Sequence, residues 1–341
     1  MILSKRETSV LAALVETYVE TAQPVSSQTL AAGLGLSPAS LRASMAALVE
    51  KGYLQQPHTS AGRIPTVQAF RYYLDQVLRL APLPRREQSR LQEHILPGEG
   101  ELPQILRRAA RAISAQSRQI CVVMAPRQDL ARWRQIDFVL LRPGMIMAVL
   151  VMQGGLVSNR LVQMDTNLSA DDLVRYGNYL NSLFEGQTTR DVRSEIERQL
   201  ASVRQTLDAY RRAWELAAQA LVGEDQPEVF VGGTSHLTDQ PEFTELETIQ
   251  ELLRLIEERS RLLELLDKTA TGQSVSISLA QDMPGLAGCS LVASPYSAFT
   301  SSSGTHGTLA VLGPMRMNYA RIVPLVDFAA QILSQCLKSR C

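Results

Sequence analysis

A chain of 341 residues, 45% of them hydrophobic and 20% charged, has a globular composition that argues against wholesale disorder, and it is too long for one ordinary core. Its formal net charge of zero hides a segregation. Residues 1–80 hold seven basic and five acidic side chains, 81–164 twelve and six, 165–270 eleven and twenty-one, and 271–341 four and two; an acidic block between basic flanks suggests separate units with different neighbours, the alternative being a solvated helical surface.

The opening "MILSKRE" lacks the long apolar region of a secretory signal. Ser4 and Glu7 form a capping-box pattern for a first helix over 4–21, with Val10, Leu11, Leu14, Val15 and Tyr18 at helical spacing. A second, short helix is expected over 27–32, with Ser26 as its cap and Pro24 before it. Gly33 and Gly35 make the turn, because glycine tolerates positive φ. Ser37 then caps a third helix with Pro38 at its first position, where a missing N–H costs nothing. Its expected buried stripe is Leu41, Met45, Leu48 and Val49. Two helices joined by a tight glycine turn form the helix-turn-helix pattern.

Gly52 ends the third helix, and "YLQQ" (53–56) and "RIP" (63–65) read as paired strands. Residues 57–62 of "PHTSAGRIPT" then form the tip of a hairpin, a wing beside the recognition helix. Arg63 and the hydroxyls of Thr59 and Ser60 are expected to reach phosphates or the minor groove, with His58 a hydrogen bonder at the wing tip. Between Arg42 and Arg71 there are four basic residues (Arg42, Lys51, Arg63, Arg71) against Glu50 alone, a modest field of the right sign for nucleic acid. The alternative is an ordinary helical domain with a surface hairpin.

Thr66 can cap a fourth helix over 67–79, with Phe70, Tyr73, Leu74, Val77 and Leu78 along one side, and "LAPLPRRE" (80–87) reads as a proline-bearing linker. Helices near 86–95 and 103–118 precede strands near 119–126, 134–142, 145–153 and 156–164. The longest apolar run, 138–152, is broken by Arg142, Pro143 and Gly144, so it reads as two strands and a turn, not a membrane span. Beyond the acidic block come strands at 274–280, 289–297 and 307–313 and a helix over 318–338. Strands on both sides of a helical block suggest one α+β domain carrying an insertion.

No catalytic set emerges. Ser235 and His236, with Asp239 nearby, are chain neighbours that point in different directions, whereas acyl transfer needs a base oriented onto its nucleophile. "SSSGTHG" (301–307) lacks the strand-then-helix context of a phosphate loop. Cys121, Cys289, Cys336 and Cys341 form no CxxC pair, which fits a reducing cytoplasm, and four scattered histidines argue against a metal site. No cofactor and no enzymatic activity are expected.

"LAALVETYVETAQPVSSQTLA", "GYLQQPHTSAGRIPT" and "FRYYLD" resemble the winged-helix domain of the HrcA family of heat-inducible transcription repressors. The resemblance continues through "GGLVSNRLVQM", "VFVGGTSHLTDQPEF", "ELLRLIEERSRLLELL" and "GTLAVLGPMRMNYARIVPLV", and so covers most of the chain. It implies an α+β multidomain protein: a winged helix-turn-helix over 1–80, a linker over 81–102, a GAF-like domain from 103–164 and 267–341, and a mainly helical dimerising insertion over 165–266. It also implies a cytoplasmic homodimer, bound to an inverted-repeat operator of double-stranded DNA upstream of chaperone operons and assisted by a GroEL-type chaperonin. The expected DNA-contacting set is Ser37, Ser40, Arg42, Ala43, Ser44, His58, Thr59, Ser60 and Arg63. The chain departs from the family pattern after Arg42, where Ala43 and Ser44 replace Asn-Asp; alanine can touch only a thymine methyl where asparagine pairs with adenine. Two other functions stay open: a DNA-binding sensor whose GAF-like domain holds a small effector, and an enzyme built on the C-terminal domain.

Overall fold

The computed structural model describes residues 3–338 apart from 59–60, 97–100, 128–130, 154–156, 165–167, 203–207, 222–226, 242–245, 270–273, 284–285, 287 and 298–305. Along the chain, helices α1 (Lys5–Thr21), α2 (Ser27–Leu34) and α3 (Pro38–Glu50) lead to the two-residue strands β1 (Leu54–Gln55) and β2 (Ile64–Pro65) and to α4 (Val67–Tyr72). Local chemistry accounts for these boundaries. The Ser4 hydroxyl accepts from Glu7 N while the Glu7 carboxylate accepts from Ser4 N, closing the capping box. Ser26, Ser37 and Thr66 each accept, through their side chains, from the backbone N–H three residues on. Gly33 is absorbed into α2, and Gly35 alone turns the corner, at φ +63°. Leu11, Leu14, Leu41 and Leu48 are fully buried. The expected helix over 67–79 ends early, at Tyr72, and runs into a π turn closed by Leu78 N donating to Tyr73 O at 2.8 Å.

Helices α5 (Arg85–Ile95) and α6 (Leu102–Ser117) then precede β3 (Ile120–Met124). Next come β4 (Trp133–Arg142), β5 (Met145–Met152), β6 (Val157–Gln163), α7 (Ala170–Phe184), α8 (Thr189–Ser202) and α9 (Asp208–Leu221). The chain continues through β7 (Val229–Gly232), α10 (Leu246–Glu257), α11 (Arg259–Thr269), β8 (Ser276–Leu279), β9 (Cys289–Ser297), β10 (His306–Pro314) and α12 (Tyr319–Lys338). Two compact units result: residues 1–123, 229–295 and 308–332, and residues 124–228, 296–307 and 333–341.

The first unit joins the N-terminal helices and wing to a mixed α/β body. Its five-stranded sheet runs β7-β3-β10-β9-β8, with Val122, Leu291, Leu309 and Val311 fully buried. Burial drives the Cys121 thiol well above its usual range and holds Cys289 up at about 12, the nearby Glu251 charge adding to the latter. α12 has the length and apolarity of a membrane span among the described residues, yet 56% of that stretch is buried within the chain. "GGTSH" forms a 3-10 turn after β7, where His236 Nδ1 lies 3.4 Å from the Asp239 carboxylate.

The second unit is built on the antiparallel sheet β4-β5-β6. Ile136, Phe138, Ile146, Ala148 and Val162 face inward with Leu173, Leu180 and Phe184 of α7. Asn181 fastens α7 to β4: its Oδ1 accepts from Ile136 N at 2.7 Å and Trp133 Nε1 at 3.1 Å, and its Nδ2 donates to Ile136 O at 3.1 Å. This division differs from the expected boundaries. The strands over 134–164, expected in the GAF-like domain, pair with one another among the described residues and share a core with α7 and α9. The helices at 246–266, expected in the insertion, belong to the first unit. Consecutive antiparallel strands satisfy their hydrogen bonds locally, so nothing in their sequence requires a distant sheet.

Candidate nucleic-acid interface

Helix α3 is the candidate recognition helix. Leu41, Ser44, Met45 and Leu48 face inward, whereas Ala39, Arg42, Ala43, Ala46 and Glu50 are exposed. These five recur at helical spacing and form one stripe. A single cation, Arg42, therefore stands on a face made almost bare by alanines. Such a face lets the helix backbone approach closely, and leaves thymine methyls and guanine edges as its natural partners.

The expected contact residues fall into groups. Arg42 and Ala43 lie in the exposed stripe, as expected. Ser37 is exposed at the start of α3, its hydroxyl oxygen accepting from Ser40 N at 3.2 Å; Ser40 is half-buried. Ser44 is a correction: it is buried and donates to the Ser40 carbonyl at 3.3 Å, so the residue that replaces the family's aspartate faces the core. Val49, expected in the core, is only half-buried. The 3.6-residue period puts position 44 on the same side as 41, 45 and 48, a signal the sequence carried.

The wing is anchored by backbone. Leu54 pairs with Pro65 and Gln55 with Ile64. The returning strand also bridges to the segment before α2, with Val25 N donating to Arg63 O at 2.9 Å and Arg63 N to Val25 O at 2.8 Å. Gly62 is required there, because a Cβ would lie 2.5 Å from the Val25 carbonyl oxygen. His58 is exposed and its carbonyl accepts from Ala61 N; Thr59 and Ser60 lie outside the described residues. Arg63 sits at the wing's root rather than its tip. It is half-buried, its Nη1 is 3.5 Å from Ala61 O, and its buried Nε has no partner among the described residues.

Two of the four basic residues are already engaged. Lys51 Nζ is 2.5 Å from Glu7, and Arg71 is 2.7 Å from Asp282. The Lys51 hydrogen bond, helped by the Ser4 backbone and hydroxyl, holds the Glu7 carboxyl down at about 2. Of these four, Arg42 and Arg63 are left without an ion-pair partner among the described residues, a result of partners 44 and 211 residues away in the chain for the other two.

The family model for the HrcA protein C-terminal domain matches residues 103–323. The chain is 43% identical over 348 residues to a heat-inducible transcription repressor HrcA of Nitratidesulfovibrio vulgaris (strain DSM 19637 / Miyazaki F), covering 99% of this chain and 97% of that protein. It is 35% identical to the protein of that name from Geobacter sulfurreducens, covering 98% of each. A crystal structure of a hypothetical protein, 19% identical, superposes with a TM-score of 0.59 over 99% of both chains, a likeness of fold alone.

Proposed function

This chain belongs to the HrcA family of heat-inducible transcription repressors, and we propose that it silences heat-shock operons as a homodimer on an inverted-repeat operator. Family membership makes it a DNA-binding regulator rather than an enzyme. The observation that carries the DNA-reading part is the exposed α3 stripe with Arg42, set beside a wing rooted on Val25. On this reading Arg42 and Ala43 meet base edges, while Arg63, Ser37, Ser40 and the wing tip with His58, Thr59 and Ser60 meet the backbone.

The dimer reading rests on the open face of the β4-β5-β6 sheet. In the register, Val139 of β4 stands opposite Met147 of β5, which stands opposite Leu161 of β6, and Val151 stands opposite Val157. Val139, Val157 and Leu161 are 45%, 57% and 66% exposed. An apolar row across a whole sheet suits a self-complementary two-fold contact, which fixes the spacing of two recognition helices on an inverted repeat. This moves the proposed interface from the helical insertion expected over 165–266 to the sheet at 133–163. The five-stranded sheet of the first unit is the GAF-like part of this reading. A GroEL-type chaperonin fits as a folding partner, since apolar strands such as β3 and β5 are exposed whenever the cores open. The action is cytoplasmic, where the operator is.

The test is to sequence the DNA fragments retained by the purified protein. An inverted repeat upstream of chaperone genes is the expected result. Fragments with no shared half-site, or a single unpaired one, would refute the reading.

A further inference from the structure

The segment "LGPMRMNYARIV" (312–323) has no part in DNA reading, yet it touches the winged domain. Arg316 Nη1 donates to the carbonyl of Val19 in the last turn of α1 at 3.3 Å, across 297 residues, and Nη2 donates to Gln240 Oε1 at 3.1 Å. α1 has no basic residue in its own last turn, where unsatisfied carbonyls and the helix dipole favour a cation. Three residues on, the Tyr319 ring meets Phe70 of α4 edge-on at 6.5 Å, and Phe70 meets Tyr18 of α1 at 6.4 Å. The Tyr319 hydroxyl is buried, donating to Met315 O at 2.6 Å and lying 2.9 Å from Ser290 Oγ, so this ring is fixed to the body.

One ion pair completes the contact, and a second ties α12 to α5, beyond the winged domain. Arg71, next to Phe70, meets Asp282 at 2.7 Å, and the same carboxylate accepts from Leu279 N at 3.1 Å. Arg321 Nε lies 3.3 Å from Glu87 on α5. The Arg71 and Asp282 side chains are 48% and 42% exposed, so the pair is weak and screened by salt. The winged helices and the body belong to one compact unit, joined at this point by an edge-on aromatic pair and several polar contacts.

We propose that the Met315–Tyr319 turn and Asp282 form a clasp that sets the orientation of the winged domain on the body, with Arg316 and Asp282 as positioning residues for operator binding. The proposal rests on the repressor reading above for its consequence, though not for its geometry. An inverted repeat is bound only when both recognition helices are held at the matching spacing. A clasp of weak contacts in parallel holds that spacing.

The test uses the full chain with Arg316→Gln, Asp282→Asn, both together, and the exchanged pair Arg71→Asp with Asp282→Arg. Spin labels at Glu20→Cys on α1 and Gln331→Cys on α12, both exposed positions, report the distance across the clasp in a Cys341→Ser background. The parent should give a narrow distribution and the double variant a broad one. Affinity for an inverted-repeat duplex selected by the parent from random DNA should fall about tenfold in the double variant. Affinity for a duplex carrying one half-site should stay unchanged, and the exchanged pair should restore most of the loss from Asp282→Asn. A distribution as narrow as the parent's overturns the clasp, and so does an equal loss on the half-site duplex. If the parent selects no inverted repeat, the repressor reading fails while the distance measurement still decides the clasp.

Discussion

Two outward surfaces of this protein are left uncovered in opposite ways. The outer stripe of α3 is nearly bare, with alanines around Arg42 and Glu50 at its end. The open face of the β4-β5-β6 sheet carries Val139, Val157 and Leu161 in large part exposed. A face with little to bury gains almost nothing from an apolar partner, but around its arginine it can approach a charged, deeply grooved one. A face with large aliphatic side chains gains from leaving water and pairs with a surface like itself. The comparison teaches that exposure alone says little, and that the chemistry of what is exposed selects the partner.

The hardest test of this contrast is Leu161→Asp. A two-fold interface carries the change twice, so dimer dissociation should rise at least about a hundredfold, roughly 3 kcal/mol. Sedimentation should find a monomer that keeps weak half-site binding, and an intact dimer would break the comparison at its apolar end. Arg42→Ala comes next, with a loss of about 1–3 kcal/mol on the operator and relaxed preference at one base pair. Equal loss on operator and random duplex would make Arg42 a phosphate contact instead. A smaller effect is expected for Arg63→Ala. Binding to all sequences should weaken alike, and the slope of log affinity against log salt should shrink by about one. Dependence of that loss on A·T content under the wing would place Arg63 in the minor groove.

The smallest effect concerns a charge the interface does not use. Glu7 titrates at about 2 instead of its ordinary 4.5, mainly through Lys51. A depressed carboxyl contributes stability above the unfolded value, and that contribution is lost as pH falls from about 4.5 through about 2. Lys51→Met should move the Glu7 titration, followed by NMR, upward toward 4.5 and flatten this acid dependence, while leaving operator binding at neutral pH intact. A marked loss of operator affinity would return Lys51 to the DNA-facing set.

The sequence by itself determined what is settled within a few residues of chain. The caps at Ser4, Ser26, Ser37 and Thr66 are satisfied by backbone groups three positions away, and the wing around "QPHTSAGRIPT" follows from turn residues between two short strands. The outward placement of Arg42 and Ala43 was legible for the same reason, since helical period alone turns them to the surface. Tertiary structure decided the rest. Lys51 and Arg71 look free in the sequence, and only the fold brings Glu7 and Asp282 to them. The strands at 133–163 read like any others, and only packing assigns them a sheet of their own and leaves one of its faces open. A hydrogen bond between near neighbours is fixed by spacing, whereas an ion pair or a sheet assignment joins residues whose separation in sequence carries no information about their distance in space.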